Sequence, residues 1–314
     1  MRRGVEVRVL YDGTCALFRL PYRYPQMLRK LGIQCKMFSP LRPLVSTHYN
    51  NRDHRKILVV DGRVAYTGGV NLADEYMNRK KLFGHWKDAS LRLEGEAVRS
   101  FTLLFLQMWN IGETGDSYSR YLSATKPLDG PRPGWVLPYG DSPLDRERVS
   151  EMVYLDIIGR AERYVHIMTP YLILDQEMLT ALCFAAKRGV DVAILLPHIP
   201  DKRYAFALAK THYRELLESG VRILEYTPGF VHAKVFVSDD CKAVVGTVNL
   251  DWRSLYLHFE CAAYLRDVPA VADIEADFEA TAALSQERTL ESLKDEKLLT
   301  RVVGWLLKVF APVM

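Results

Sequence analysis

The chain has 314 residues, 49% hydrophobic and 25% charged, a composition that excludes a wholly disordered, collagen-like or coiled-coil protein. Lys and Arg number 42 against 38 Asp and Glu, for a net charge of +4, compatible with a polyanionic surface but too weak to argue for nucleic acid. Cysteines at 15, 35, 183, 241 and 261 form no C-x-x-C pair and no zinc spacing, so neither a disulfide framework nor a structural metal is expected, and the compartment reads as reducing. The opening Met1-Arg2-Arg3-Gly4-Val5-Glu6-Val7-Arg8 carries charge too often for a signal peptide or membrane anchor and reads like the middle of a domain.

In chain order, apolar patterning predicts strands at 5–10 and 57–60, the second turning at Asp61-Gly62 into a partner at 64–66, then a helix over 94–109. The proline- and glycine-dense stretch 124–146 reads as a linker. Beyond it come helix 147–161, strand 164–168, helix 174–187, strand 190–196, helix 202–218, strands at 221–224, 234–238, 243–245 and 261–265, and helices over 268–283 and 296–310. Strands interleaved with helices indicate α/β layers with a mixed sheet in each half. The expected division is 1–123, a linker over 124–146, and 147–314. The helix ending in Trp305, Leu306 and Phe310 has a wide apolar face but is a poor membrane span; packing against the core is favoured over docking at a lipid interface.

The chain also repeats itself. Arg3-Gly4-Val5-Glu6-Val7-Arg8-Val9-Leu10 recurs as Arg188-Gly189-Val190-Asp191-Val192-Ala193-Ile194-Leu195, and His54-Arg55-Lys56-Ile57-Leu58-Val59-Val60-Asp61 recurs as His232-Ala233-Lys234-Val235-Phe236-Val237-Ser238-Asp239. Glycine turns follow both, Gly68-Gly69-Val70-Asn71 and Gly246-Thr247-Val248-Asn249. The two copies are offset by 185 residues at the glycines (Gly4, Gly189) and 178 at the histidines (His54, His232), a drift that loop insertions produce. The architecture is a duplicated domain.

In His-x-Lys the two side chains leave the same face of a strand and can meet one small anion together. The Gly-x-x-Asn turn adds backbone N–H groups and a carboxamide, donors suited to phosphate oxygens. Two copies across a pseudo-dyad would bring two imidazoles, two ammonium groups and two amides to one phosphodiester. One imidazole can then attack while the other, protonated, supplies the leaving alkoxide with its proton. No clustered carboxylates suggest magnesium or calcium, so no metal and no other cofactor is expected. A single His-x-Lys would be a solvated strand edge; two copies with matched turns are a site. The histidines at 48, 85, 166, 198, 212 and 258 lie outside the motifs and receive no role.

These residues resemble the phospholipase D superfamily, with two H-x-K-x4-D motifs each followed by G-x-x-N. Asn51-Arg52-Asp53-His54-Arg55-Lys56, Ala65-Tyr66-Thr67-Gly68-Gly69-Val70-Asn71, Thr169-Pro170-Tyr171 and Gly246-Thr247-Val248-Asn249-Leu250-Asp251-Trp252-Arg253-Ser254 are similar to bacterial cardiolipin synthases of that type. The resemblance implies two half-domains around a shared site, transfer of a phosphatidyl group from one phosphatidylglycerol to another with release of glycerol, and a phosphohistidine intermediate. It further implies His54 and His232 as nucleophile and acid/base pair, the first being the nucleophile by family habit although the repeat itself is symmetric. Lys56, Lys234, Asn71 and Asn249, with the turns at Gly68 and Gly246 and the hydroxyl of Thr247, would bind the phosphoryl oxygens; Gly69 stands where many members have serine. Asp61 and Asp239 complete the motifs but sit too far along their strands to touch the histidines, as structural or network residues. Asp88 and Glu260, each just before the next strand, are expected to orient the imidazoles.

The implied partner is anionic phospholipid at the cytoplasmic membrane surface, reached peripherally, with no nucleic acid. A hydrolase of phospholipid or nucleic acid and a non-catalytic phosphate-binding remnant are the alternatives. Helix, strand and helix precede Gly189-Val190-Asp191-Val192, whereas three residues precede Gly4-Val5-Glu6-Val7. The first repeat is therefore expected to lack one helix-strand-helix unit, and an uncovered apolar groove is expected beside 5–10.

Overall fold

The computed structural model describes residues 3–21, 23–40, 50–112, 118–128, 130–294 and 298–308. The first half runs β1 (Arg8–Asp12), α1 (Gly13–Phe18), α2 (Tyr24–Lys30), β2 (Gln34–Phe38), β3 (Arg52–Asp53), β4 (Ile57–Val60), β5 (Val64–Gly68), β6 (His85–Lys87), β7 (Ser90–Glu94), α3 (Ala97–Trp109) and α4 (Tyr118–Leu122). The second begins β8 (Trp135–Asp141), α5 (Val149–Arg160), β9 (Tyr164–Met168), α6 (Gln176–Lys187), β10 (Asp191–Pro197), α7 (Arg203–Glu218) and β11 (Arg222–Tyr226). It continues through β12 (Gly229–Val231), β13 (Val235–Ser238), β14 (Lys242–Gly246), β15 (His258–Arg266), α8 (Ala270–Ala282), β16 (Ser285–Arg288) and α9 (Leu298–Lys308).

Main-chain pairing joins the second half into one mixed sheet in the order β16-β11-β10-β9-β13-β14-β15, with β3 and β8 each also pairing with β15. The equivalent strands of the first half form two separate pieces, β1-β2 and β4-β5-β7. In the second sheet β9 bridges these pieces, parallel to β10 and antiparallel to β13. Among the described residues the first half has no strand between β1 and β4.

That gap explains where the expected strand 5–10 goes wrong. β1 begins at Arg8, and its register Arg8↔Gln34 through Asp12↔Phe38 reproduces Ala193↔Arg222 through Pro197↔Tyr226. In the second half the preceding Asp191 and Val192 pair only with β9. Among the described residues their counterparts Glu6 and Val7 have no strand on that edge, and the one main-chain bond there is Gln34 N–H to the carbonyl of Val7 at 3.0 Å, on the β2 side. The expected linker also contains structure, since Trp135–Asp141 pairs antiparallel with β15. Pro138 and Gly140 are tolerated because β8 is an edge strand. The helices lie within a few residues of their expected ranges, with Asp175 capping α6 through Met178 N–H at 2.7 Å.

The two sheets meet face to face. Ala65, Leu93 and Phe101 of the first half pack with Val237, Ala243, Cys261 and Ala263 of the second. The outer face of the second sheet is covered by helices, and Tyr154 of α5 stacks on Phe236 at 3.9 Å between ring centroids. By motif register Leu58 is the counterpart of Phe236, yet it is 57% exposed where Phe236 is 2% exposed. Val5, Met37 and Val60 are exposed on the same half. The closing helix α9 packs on α7, with Gly304 so close to the carbonyl of Ala207 that a Cβ would come within 2.4 Å of it. Leu307 faces the cluster of Ile173, Ala205 and Leu208, while Val302, Trp305 and Leu306 remain exposed. Phe310 and His48 lie outside the described residues.

The asymmetry between matched core positions has a measurable consequence. Phe236→Ala is expected to cost about 3–5 kcal/mol, and Leu58→Ala at the equivalent position about 0.5 kcal/mol or less, in urea unfolding monitored by circular dichroism. Equal losses would show that the outer face of β4 is covered in solution.

Candidate active site

Each motif histidine stands at the end of a short strand whose partner belongs to the other half. β3 runs parallel to the start of β15, pairing Arg52↔His258 and Asp53↔Phe259, and β12 runs parallel to β6, pairing Phe230↔Trp86 and Val231↔Lys87. The next backbone N–H continues both ladders: His54 donates to the carbonyl of Phe259 at 3.0 Å, and His232 to that of Lys87 at 2.7 Å. Asp88 and Glu260 are equivalent by register, each two residues before the strand partner of the turn glycine, Ser90 for Gly68 and Ala262 for Gly246.

The side chains cross in the same way. His54 Nδ1 lies 2.8 and 3.0 Å from the two carboxylate oxygens of Glu260, and His232 Nδ1 lies 2.9 Å from Asp88 Oδ2. With the carboxylates ionised, Nδ1 carries the proton in each ring and Nε2 is left as the free lone pair. Lys56 Nζ donates to the carbonyl of its own His54 at 2.5 Å, and Lys234 Nζ to that of His232. Lys234 is 1% exposed.

Electrostatics bind the two motifs into one cluster. Burial drives His54 down to about 3, with Lys56 adding to the shift and Glu260 opposing it. Burial and Lys234 take His232 to about 3 against the pull of Asp88. Burial also pushes Lys234 down to about 7, with Lys56 reinforcing the shift while Asp88 and Glu260 oppose it. Lys56 moves the same way, again with burial as the main cause. Burial would raise both carboxyls, but the hydrogen bonds and charge of their histidines hold them below the usual range. The resting site thus holds neutral imidazoles against ionised carboxylates.

The turns close around these pairs. Thr247 donates its hydroxyl to Glu260, and its backbone N–H bonds the carbonyl of Cys261 at 2.9 Å. Gly69, its counterpart, makes the matching bond to Ala89 at 3.0 Å. A Cβ at Gly69 would meet Asp88 Oδ1 at 2.0 Å and the carbonyl of His232 at 2.8 Å, so a side chain there would displace the carboxylate. Asn71 donates to the hydroxyl of Tyr76 at 2.5 Å, while Asn249 Oδ1 is buried without a hydrogen-bond partner.

Asp61 and Asp239 stand away from this cluster. Asp239 accepts the N–H groups of Glu162, Arg163 and Tyr164 at 2.9, 2.9 and 3.0 Å, tying the β13–β14 turn to the entry of β9. Asp61 occupies the equivalent turn with φ +53°, followed by Gly62 at +63°, where two left-handed residues match the twist of a hairpin. Tyr171 donates to Asp201 at 2.6 Å.

Two ring residues escaped the sequence reading. Trp86 lies 5.3 Å from His232 between centroids at 41°, and His258 lies 5.4 Å from His54 at 45°. They are pseudo-symmetric, each standing two residues before its carboxylate, and that spacing was the signal available. His258, given no role from the sequence, places Nδ1 3.6 Å from Glu260 Oε1.

Comparison with known proteins gives the family. The family model described as "Cardiolipin synthase, PLD-like domain" matches residues 1–109 and 154–282. An uncharacterized protein of Streptococcus mutans is 54% identical over the whole chain, which spans 68% of that protein. Cardiolipin synthase 2 of Bacillus anthracis is 37% identical, again over the whole chain, which spans 61% of it. Cardiolipin synthase of Geobacillus sp. (strain WCH70) is 38% identical, with the chain covering 62% of its length. The chain therefore spans 61–68% of the length of these relatives. In fold, the crystal structure of phosphatidylserine synthase from Haemophilus influenzae is similar with a TM-score of 0.71 over 98% of this chain and 80% of that one, at 16% identity. Duplicated motifs, crossed histidine–carboxylate pairs and these likenesses together identify the chain as a member of the phospholipase D-like cardiolipin synthase family.

Proposed function

We propose that the protein is a phosphatidyltransferase that moves the phosphatidyl group of one phosphatidylglycerol to the hydroxyl of another and releases glycerol. The observation that carries this reading is the pair of crossed histidine–carboxylate contacts, since displacement at phosphorus needs a nucleophile and a proton donor on opposite sides. His54 is the nucleophile. Its Nε2 attacks phosphorus, the bond to the glycerol oxygen breaks, and that oxygen takes the Nε2 proton of His232. Arrival of the anionic phosphodiester supplies the negative charge that favours the imidazolium at His232, beside Asp88 and the ring of Trp86. In the second step His232 removes the proton of the acceptor hydroxyl, which attacks the phosphohistidine and frees His54. Glu260 balances the positive charge that His54 acquires while phosphorylated.

Lys56, Lys234 and the turns at Gly68-Asn71 and Gly246-Asn249 supply the donors for the phosphoryl oxygens. Asp61 and Asp239 act by shaping hairpins rather than by touching substrate. No helix among the described residues is long and apolar enough to cross a membrane. The exposed Trp305 and Leu306 on α9, with the basic net charge of +4, suit contact with an anionic lipid surface.

The deciding experiment incubates the protein with phosphatidylglycerol vesicles and reads the lipid products by mass. Cardiolipin supports the transferase, phosphatidic acid would assign a hydrolase, and no lipid product would refute both.

His54→Ala and His232→Ala are each expected to reduce turnover to the same floor, with the double variant no worse, because the two act in one displacement. Retention of most activity by either single variant would break the shared-site account. Separately, sulfate can probe the buried cations because it does not titrate near neutrality. With Lys234 at about 7, its ammonium is present below that pH and lost above it. Sulfate affinity should therefore fall as pH rises through neutrality, approaching about tenfold per pH unit, and Lys234→Met should remove that dependence. A pH-independent affinity in the unsubstituted protein would contradict the assignment.

A further inference from the structure

Glu260 has more company than one histidine requires. It is fully buried, with His54 Nδ1 at 2.8 and 3.0 Å from its two oxygens, and Thr247 donating to Oε2. His258 points Nδ1 at the same carboxylate from 3.6 Å, too far for a hydrogen bond. That nitrogen is buried and has no hydrogen-bond partner. Donor atoms of His54, His258 and Glu260 all lie within 4.8 Å of one another.

Tetrahedral zinc, with bonds of about 2.0–2.1 Å, sets its ligand atoms roughly 3.3 Å apart. The separations of 2.8 and 3.6 Å from Glu260 Oε1 to the two imidazoles bracket that value. Two imidazole nitrogens and one carboxylate oxygen are the donor set of an open zinc site, whereas calcium and magnesium prefer oxygen alone. Thr247 would hold the carboxylate from behind, as supporting groups in zinc sites do. The pseudo-symmetric site contains its own control: Trp86 stands where His258 does, and an indole N–H has no lone pair to give.

We propose that His54, His258 and Glu260 form a binding site for zinc or a similar imidazole-preferring divalent cation, and that filling it arrests the enzyme. On binding, the metal takes Nδ1 of the neutral His54 and the ring proton moves to Nε2, so no net proton is released. Nε2 then carries the proton instead of the lone pair that attacks phosphorus. The binding claim stands apart from the function proposed above; only the arrest rests on it.

The test titrates the metal-free protein with zinc chloride, using calorimetry in buffers of different ionisation enthalpy and competition with a chromophoric chelator. A tight equivalent without net proton release is expected, lost or weakened at least tenfold in His258→Asn and retained in Trp86→Phe. Turnover, each variant relative to its own metal-free rate, should be inhibited by zinc and restored by chelator in the wild type, with at least tenfold more zinc needed in His258→Asn. X-ray absorption of the zinc-loaded wild type should show two imidazoles on the ion, which keeps the test valid if the His258 variant folds poorly. Unchanged zinc affinity in a folded His258→Asn, or an ion without two imidazole ligands, overturns the site. Binding that depends on His258 in a protein that makes no lipid product would uphold the site and reject the function instead.

Discussion

Each motif imidazole is held by a carboxylate from the opposite half, and this exchange is the constraint on which the rest of the molecule depends. His54 reaches Glu260 and His232 reaches Asp88, so neither half contains a working pair by itself. The exchange is supported at three levels. Backbone bonds carry β3 onto β15 and β12 onto β6, the histidine N–H groups extend those ladders, and an apolar layer including Ala65, Leu93, Val237 and Ala263 clamps the sheets together. A shift of one strand by a single residue would turn its side chains to the other face and break both pairs.

The two copies of the motif are supported by different chemistry. Around His54, Arg55 pairs with Asp53 through Nε at 2.9 Å and Nη2 at 3.0 Å and donates to the carbonyl of Leu104, while Asp12 accepts the N–H of Asp53 and lies 3.7 Å from Arg52. Around His232 the corresponding positions are Phe230, Val231 and Ala233, all buried. A continuous sheet covered by helices holds the second motif through packing. In the first half, where among the described residues no strand joins β1 to β4, directional ion pairs and hydrogen bonds do that work.

The same division appears in the turns. Thr247 fills the space beside Glu260 with a hydroxyl, whereas Gly69 leaves none beside Asp88 because the carboxylate lies where a Cβ would be. Asp239 anchors its hairpin to the start of β9, and Asp61 retains the turn geometry without a described counterpart of β9 to grip. The two ring neighbours, Trp86 and His258, are the largest departure from symmetry at the site. One presents an aromatic face and the other a second titratable nitrogen, so two histidines in nearly the same backbone setting meet different chemistry.

The repeated motifs, the α/β class and most helices were legible in the sequence because each rests on local spacing: His-x-Lys on the two-residue strand repeat, the helices on the 3.6-residue repeat. Asp88 and Glu260 could be picked out as carboxylates before an expected strand, although Glu260 lies inside β15, but their exchange between halves could not, since it depends on which strands become neighbours. β8 was hidden by Pro138 and Gly140, acceptable only because tertiary structure makes that strand an edge. The start of β1 was misplaced because Val5-Glu6-Val7 has strand character but, among the described residues, lacks the second neighbour that β9 gives to Asp191 and Val192. The role of His258 was equally invisible, because an imidazole is defined by what faces its nitrogens. Sequence by itself determined which reactive groups the chain carries and the local geometry of each motif; only the tertiary structure decided which carboxylate meets which histidine, through backbone pairing between residues some two hundred positions apart such as Arg52 and His258.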